Sequence, residues 1–453
     1  MTDPIAKQSS AVQTMAKHWP LINALLGGTS AIREAGKTYL PQWPNEETES
    51  YNNRLDTATL YPAFERTVKV LASKPFSKST KLSDDVPEQM AEWLKNADLQ
   101  GRDLQAFAST IFEECVSHGI SYVYVDFPRA EGITTREQEI KAGVRPYFVH
   151  YSPWNVLGWR SERIGGIEKL VQVRLKETKL QPVGEYEEEL IEQIRVLKIG
   201  AWELWQKDSK NNQWSMIDEG VTSLQDIPLV PFYGDRTGFM TGKPTLLELA
   251  HQNIEHYQSS SDQQTILHVA RVPILTIIGA DDDAQLTVGA STAVKLPIGA
   301  DMKFVEHSGQ AIEAGRQALL DLEERMRQTG AELLVLSPGK VTATQVQSEN
   351  EANKCALQRI TENFEDAMNQ CLQFMANWVG ESDGGSIELF KDFGAASLSD
   401  ASAQLLLNSA TAGKISDETL RNEYKRRGIL SADLDNDEEV ERLEMQGPAL
   451  GNV

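Results

Sequence analysis

Cysteine is scarce. Cys115, Cys355 and Cys371 are the only three in 453 residues, they lie far apart, and no Cys-x-x-Cys pair occurs. A disulfide framework and a cysteine-built zinc site are therefore excluded, and a reducing cytosol is the expected compartment. Long apolar runs are missing too. None approaches the roughly 18 residues that crossing a bilayer takes, and Met1 to Ser10 lacks the apolar core of a signal peptide, so a membrane-spanning or secreted chain is not expected. Basic charge is in deficit: 44 Lys and Arg stand against 66 Asp and Glu, leaving −22. That balance argues against a protein that grips nucleic acid by neutralising phosphate, though it allows nucleic acid to pass by.

Motifs for chemistry are also lacking. Gly238 to Pro244 (Gly-Phe-Met-Thr-Gly-Lys-Pro) has three residues between its glycines where a phosphate loop has four, and Pro follows the Lys where Ser or Thr must meet magnesium. Ser337-Pro-Gly-Lys-Val-Thr342 lacks the first glycine. His251 and His256, five apart, do not share a helix face as a metal pair would. Asp281-Asp282-Asp283 lacks the alternation and the glutamate of a calcium loop. Cys115 and His118, one helical turn apart without a third group, read as packing. No enzyme activity, metal or cofactor is expected.

What is present is enough apolar residue, 40%, for two or three modest cores. The first third reads as helices punctuated by Trp19-Pro20, Leu40-Pro41 and Trp43-Pro44. Helical spacing continues through Leu55, Ala58, Phe64, Val68 and Leu71 to a stop at Pro75, with further helices at 87–97 and 103–117. The period then changes. Ile120 to Phe127, Pro146 to His150, Trp154 to Trp159, Val171 to Leu175, Ile194 to Gln206, Gln213 to Ile217 and Leu229 to Tyr233 predict strands, with a hairpin turn at Ser209 to Asn212. Helices followed by antiparallel strands make an α+β lobe in a chain that is mainly α.

Two long helices follow, one from Pro244 to Ala270 and one from Gln310 to Ala331. The first loses its apolar face between Gln258 and Gln264, and a helix polar all round needs bridging, pairing or an assembly to persist. The second carries a heptad seam of Ile312, Gly315, Leu319, Leu322 and Met326. Between them, Val272 to Ile278 and Ala293 to Leu296 predict short strands in an insert held away from the body. Beyond them, Ser337 to Thr344 reads as a loop, and Thr342 with Gln345 predicts a capping box opening a long helix that ends at Gly380. An αα-hairpin with stops at Gly413 and Gly428 and a frayed acidic segment, Asp433 to Glu444, close the chain.

Several of these stretches resemble tailed-bacteriophage portal proteins. The carrying residues are Gly36-Lys-Thr-Tyr-Leu-Pro41 followed by Tyr51-Asn-Asn-Arg-Leu55, then Leu60-Tyr-Pro-Ala-Phe-Glu-Arg-Thr-Val68 with Lys74-Pro-Phe76. In the tail they are Ala412-Gly-Lys-Ile-Ser416 and Arg426-Arg-Gly-Ile-Leu430. Their order around the two long helices covers roughly residues 20 to 445. The resemblance implies an N-terminal region and α+β wing over 1–243, stem helices over 244–270 and 310–331, and a β-rich clip over 271–309. It further implies a tunnel loop and helix over 332–380, and a short helical crown with an acidic tail over 381–453. It implies Lys340, Thr342, Thr344, Gln345 and Gln347 in a DNA tunnel, and Asp281, Asp282, Asp283 and Lys295 in a partner-docking clip. Ile312, Leu319, Leu322 and Met326 would hold the oligomer stem.

The implied protein is a homo-oligomeric ring, a dodecamer, at the capsid vertex of a virion assembled in the host cytoplasm. Its implied partners are terminase, a head-completion adaptor, the major capsid protein and double-stranded DNA that passes through without sequence specificity. The remaining readings are another phage head structural or adaptor protein, which the paired long helices count against, and a terminase or nuclease, which the missing phosphate loop counts against.

Overall fold

The computed structural model describes residues 3–128, 143–208, 211–270, 274–278, 301–305, 309–334, 354–393, 400–426, 430 and 434–445. Helix and antiparallel sheet are mixed, and the chain divides into two compact units. The first comprises Met1–Leu71, Thr110–Tyr124 and Val149–Ala331; the second comprises Ala72–Ser109, Val125–Phe148 and Glu332–Val453.

The first unit opens with helices α1 (Ser10–Ala16), α2 (Trp19–Leu26), α3 (Gly28–Ala35) and α4 (Thr48–Thr57), followed by α5 (Ala63–Ser73). Ser9 caps α1 through the Val12 N–H, and Pro20 occupies the first turn of α2, where its missing N–H costs nothing. The helical spacing expected from Tyr51 to Leu71, with Pro62 near a helix start or kink, is carried by α4 and α5. Ala58 is extended, and Pro62 sits just ahead of α5.

Helix α6 (Glu88–Trp93) and helix α7 (Leu104–His118) follow, and α7 ends at Gly119, whose φ of +85° turns the chain into strand β2 (Ile120–Asp126). A side chain at Gly119 would place its Cβ 1.9 Å from the Lys243 carbonyl oxygen, so glycine is needed there for space as well as for conformation. With β1 reserved for Lys81–Leu82, β2 joins β3 (Tyr147–Tyr151) and β9 (Leu229–Tyr233) in a three-stranded sheet ordered β3-β2-β9. Between them in sequence run β4 (Val156–Ile164), β5 (Ile167–Val183), β6 (Glu187–Lys198), β7 (Ala201–Lys207) and β8 (Trp214–Val221), a five-stranded antiparallel meander. The two sheets and α1–α2 share one core, in which Val12, Ile120, Tyr122, Val173 and Leu175 are buried. The alternation expected around Val173 and Leu175 is present.

The meander is uneven. Strand β4 covers β5 only as far as Leu175, and β7 covers β6 only from Gln193 onward. The rungs from Thr178↔Glu192 to Val183↔Glu187 therefore form a two-stranded arm, every residue of which from Thr178 to Leu190 is exposed. Sequence reading missed the arm and split the strands differently: the stretch read as Ile194 to Gln206 is β6 and β7, with a turn at Ile199–Gly200. Residues 209–210 of the expected Ser209 turn lie outside the described residues, but β7 and β8 do pair antiparallel. The near-phosphate-loop glycines, Gly238 and Gly242, belong to a small hairpin of β10 (Arg236–Gly238) and β11 (Thr241–Gly242).

The second unit is built on the helix Ala356–Val379, whose stripe of Leu357, Ile360, Phe364, Met368, Cys371 and Met375 is buried. It starts at Ala356. Cys355, extended, caps it in a reciprocal box with Gln358, so a single helix running on from Thr342 does not form, and residues 335–353 lie outside the described residues. Its end at Gly380, left-handed at φ +78°, is as expected. Glu365 accepts from the Leu389 N–H at 2.6 Å and pairs with Lys391 at 2.8 Å, binding the helix to the segment that holds β14 (Ile387–Glu388), the partner of β1. Trp378 stacks on Phe127 at 5.5 Å and donates to the Val125 carbonyl at 3.0 Å.

In the tail, helices Asp400–Thr411 and Asp417–Arg426 are joined through Gly413, and Ser416 caps the second by accepting from the Thr419 N–H; Gly428 lies outside the described residues. The acidic segment expected to fray is instead helical over Asn436–Met445. Asp435 caps it, and Arg442 reaches Glu438 at 2.9 Å and Glu439 at 3.4 Å.

Cys115 and His118 pack, as their spacing suggested. The Cys115 thiol donates to the Phe232 carbonyl at 3.4 Å, and burial pushes its pKa up. His118 Nε2 lies 2.9 Å from Asn23 Oδ1 and Nδ1 lies 2.9 Å from Ser117 Oγ, with Trp154 edge-on at 5.2 Å. Burial lowers its pKa to about 4, against the opposing pull of Glu114. Because the unfolded chain takes up the proton first, near pH 6.5, the stability held by neutral His118 is complete above that pH and is lost as pH falls toward 4. Between pH 7 and 5 urea titrations should lose about 2 kcal/mol to this group. A His118→Gln variant should lose correspondingly less over the same interval, whatever its stability at pH 7.

Candidate functional site

The two long helices expected from the sequence are α8 (Leu247–Ala270) and α9 (Gln310–Ala331) in the first unit. At about 1.5 Å per residue, α8 is on the order of 36 Å long. At their joined end, β12 (Ile274–Ile278) pairs antiparallel with β13 (Asp301–Val305), in register from Ile274↔Val305 to Ile278↔Asp301. The partner of the first insert strand is thus Asp301–Val305. The expected Ala293–Leu296 strand, together with Asp281, Asp282, Asp283 and Lys295, lies outside the described residues, as do Lys340, Thr342, Thr344, Gln345 and Gln347.

The heptad seam of α9 faces inward in part: Leu322 and Met326 are buried, while Ile312 and Leu319 are half-buried. At Gly315 a side chain of α8 packs tightly against α9. Gln263 lies against the glycine, so that a Cβ at 315 would sit 2.1 Å from Gln263 Oε1, and Gln263 Nε2 donates to the Ile312 carbonyl at 2.8 Å. Lower down, His256 Nε2 lies 3.5 Å from Glu323, and burial lowers its pKa although Glu323 pulls it up. Tyr61 tilts over the same ring at 5.2 Å. His251, by contrast, is exposed, so the two histidines do not converge. Among the described residues no group of three His, Cys, Asp or Glu could hold a metal ion.

Several polar side chains of α8 find partners within the chain, while Ser261 Oγ, inside the stretch that lacks an apolar face, is buried without one. Asn253, fully buried, accepts from the Phe64 N–H at 2.9 Å and donates to the Tyr61 carbonyl at 2.8 Å, clasping the start of α5 from both sides. Gln258 donates to the Tyr39 carbonyl at 2.8 Å. Asp262 faces Arg54 and Trp43; partial burial raises its carboxyl pKa while those two groups lower it. Further along, α5 and α9 meet closely: a Cβ at Gly330 would lie 2.9 Å from the Thr67 methyl.

Arg54 organises the bracket around α8. Its guanidinium binds both oxygens of Glu46 at 2.8 Å, donates to the Pro41 carbonyl at 2.8 Å and stacks over the Trp43 ring at 4.1 Å. Both side chains are about 5% exposed, at 5% and 6%. The paired guanidinium holds the Glu46 carboxyl below its ordinary pKa. The Gly36–Pro41, Tyr51–Leu55 and Leu60–Val68 stretches singled out in the sequence therefore come together in space, lining the side of α8. Sequence reading found these stretches but missed their common purpose, for which the signal was present: polar residues on one helix and a Trp-Pro-rich loop far upstream each lacked a partner.

Residues 245–379, from the start of α8 to the end of the second unit's main helix, match a family described as a domain of unknown function, DUF4055. No curated protein matches. Among solved structures, the chain is similar to one in the neck of an empty gene transfer agent (GTA) particle computed with C6 symmetry, at 14% identity and a TM-score of 0.40 over 85% of this chain and 90% of that one. It is similar to a chain in the neck of a native GTA particle computed with C12 symmetry, at 14% identity and 0.40, covering 79% and 88%. A third similarity is to a chain in the virion of a native GTA particle, at 13% identity and 0.40, covering 92% and 98%.

Replacing Asn253 with Ala leaves the Phe64 N–H without its partner and the Tyr61 carbonyl with only its 2.8 Å bond from the Ala63 N–H. That should cost on the order of 1–3 kcal/mol. Thermal unfolding should register the loss, and limited proteolysis should show earlier cleavage in the segment between α4 and α5, while Gln252→Ala, one residue away on α8, serves as the control.

Proposed function

We propose that this chain is a portal protein: a ring at the capsid vertex of a tailed-phage-like particle, serving as the conduit for double-stranded DNA in packaging and ejection. The observation that carries the reading is the α8–β12–β13–α9 unit, with the resembling stretches Gly36–Pro41, Tyr51–Leu55 and Leu60–Val68 gathered on the flank of α8. In this reading α8 and α9 are the stem, the β12–β13 insert is the clip that docks terminase and later the head-completion adaptor, and the body meets the major capsid protein. The chain has no catalytic role, and the motor is another protein.

The charge balance suits a conduit. Each phosphate held by a Lys or Arg adds an attraction that must be broken at every step of translocation, whereas an acidic wall keeps the duplex sliding. The residues proposed to face the DNA are Lys340, Thr342, Thr344, Gln345 and Gln347. Of these Lys340 is the single cation, repeated around the ring, which centres the duplex without trapping it.

Light scattering coupled to size exclusion should report a large closed oligomer, and negative-stain images should show an annulus with a central channel. A stable monomer at micromolar concentration would sink the reading, and a compact assembly without a channel would favour an adaptor or other head component. In assembled heads, Lys340→Ala should leave ring formation and empty-head yield unchanged while altering DNA retention or packaged length. Normal packaging and retention would place that loop away from the DNA.

A further inference from the structure

The exposed arm of β5 and β6 has no core of its own. Its six two-stranded rungs extend about 20 Å at roughly 3.4 Å each, and an isolated two-stranded hairpin is marginally stable in water. Yet it displays Leu180 opposite Leu190, at 56% and 66% exposure, and Tyr186 at 89% at its tip. The tip is acidic without relief: Glu185, Glu187, Glu188 and Glu189 fall in a stretch from Leu180 to Ile194 that contains no Lys or Arg.

At the arm's base the same unit carries the complement. A groove of about 970 Å³ lies between the N-terminal segment and the meander, lined by Lys7, Lys176, Lys207, Trp154 and Trp214 among others. Glu192 is shared between two of the lysines, at 2.7 Å from Lys176 and 2.6 Å from Lys207, and their pull lowers its pKa to about 2. One carboxylate for two ammonium groups, with Lys7 beyond them, leaves positive charge after Asp3, the other acid of the groove, is counted. In a chain of −22, a groove of net positive charge edged by two indoles is unusual surface.

We infer that the acidic, tyrosine-tipped arm of one copy seats in the lysine–tryptophan groove of the next, a head-to-tail contact between copies of this chain. Tip and groove are separated by the arm's own length on each molecule. Passed on in one direction the contact is heterologous, and it closes a ring when the rotation between neighbours divides a full turn. Charge chooses the groove over the rest of an acidic surface, and burial of Tyr186, Leu180 and Leu190 orders an arm that is bare in the single chain. The inference rests on the ring reading above but can fail separately from it.

The test is disulfide trapping between Tyr186→Cys and Gln8→Cys, a groove residue, since Cys115, Cys355 and Cys371 are all buried and leave the native chain silent. Mixing the two single variants should give a cross-linked dimer, and the double variant should give a ladder beyond dimer. Adding Glu187→Lys, Glu188→Lys and Glu189→Lys to the arm should slow trapping by about tenfold or more, and Lys7→Glu in the receiving copy should restore much of that rate. Rings without cross-links overturn the inference and spare the ring reading. Cross-links that stop at dimer overturn the head-to-tail geometry. A monomeric native chain overturns the ring reading, and trapping of the mixed variants at high concentration then decides the contact alone. Unchanged melting of each variant's body shows that the exposed substitutions have not unfolded it.

Discussion

The long helix α8 presents polar side chains where a buried helix would ordinarily present apolar ones, and three of their amides are bonded to the surrounding chain. An unpaired amide in that setting costs more than a typical hydrogen bond returns, so the partners these three find weigh heavily. Asn253 takes the start of α5, Gln258 takes the loop at Tyr39, and Gln263 takes α9 at Ile312. The Arg54–Glu46 pair works one layer out, fixing the loop that supplies the Tyr39 carbonyl. The helices are held by directed bonds at named levels, which specify one sliding position where a greasy seam would allow several.

Much of this was legible in residue order. The two long helices, the helix stripe ending at Gly380 and the β-rich stretch after Gly119 follow from periodicity and breakers, because burial imposes period 3.6 or 2 directly on the sequence. The failures have physical causes. The arm was missed because Glu187-Glu188-Glu189 has poor strand propensity, and an exposed strand carries no alternation to read. The Asn436–Met445 helix was taken for a frayed segment because its support is electrostatic, from Arg442 to Glu438 and Glu439, with little apolar face. The helix expected to run through to Gly380 is interrupted at Cys355, a residue seldom considered as a cap.

The polar stretch of α8 teaches a different lesson. From sequence, an unpartnered polar helix points to an assembly; in the fold, part of its demand is met by residues some 200 positions away in the same chain, as with Gln258 and Tyr39. Long-range pairing of this kind leaves no periodic trace, since neither partner's neighbours predict the other. The case for an assembly therefore rests on the resemblance and, from the structure, on the exposed arm more than on the helix that first suggested it.

The brackets on α8 share a chemical feature: Asn253, Gln258 and Gln263 all bind main-chain atoms, at Phe64, Tyr61, Tyr39 and Ile312. A peptide group is present whatever side chain the residue bears. So far as these bonds are concerned, positions 39, 61, 64 and 312 are free to drift while the amide side chains are not. A scaffold joined in this way tolerates extensive substitution on one side of every joint, and two chains can keep the same helix placement long after their sequences have stopped looking alike.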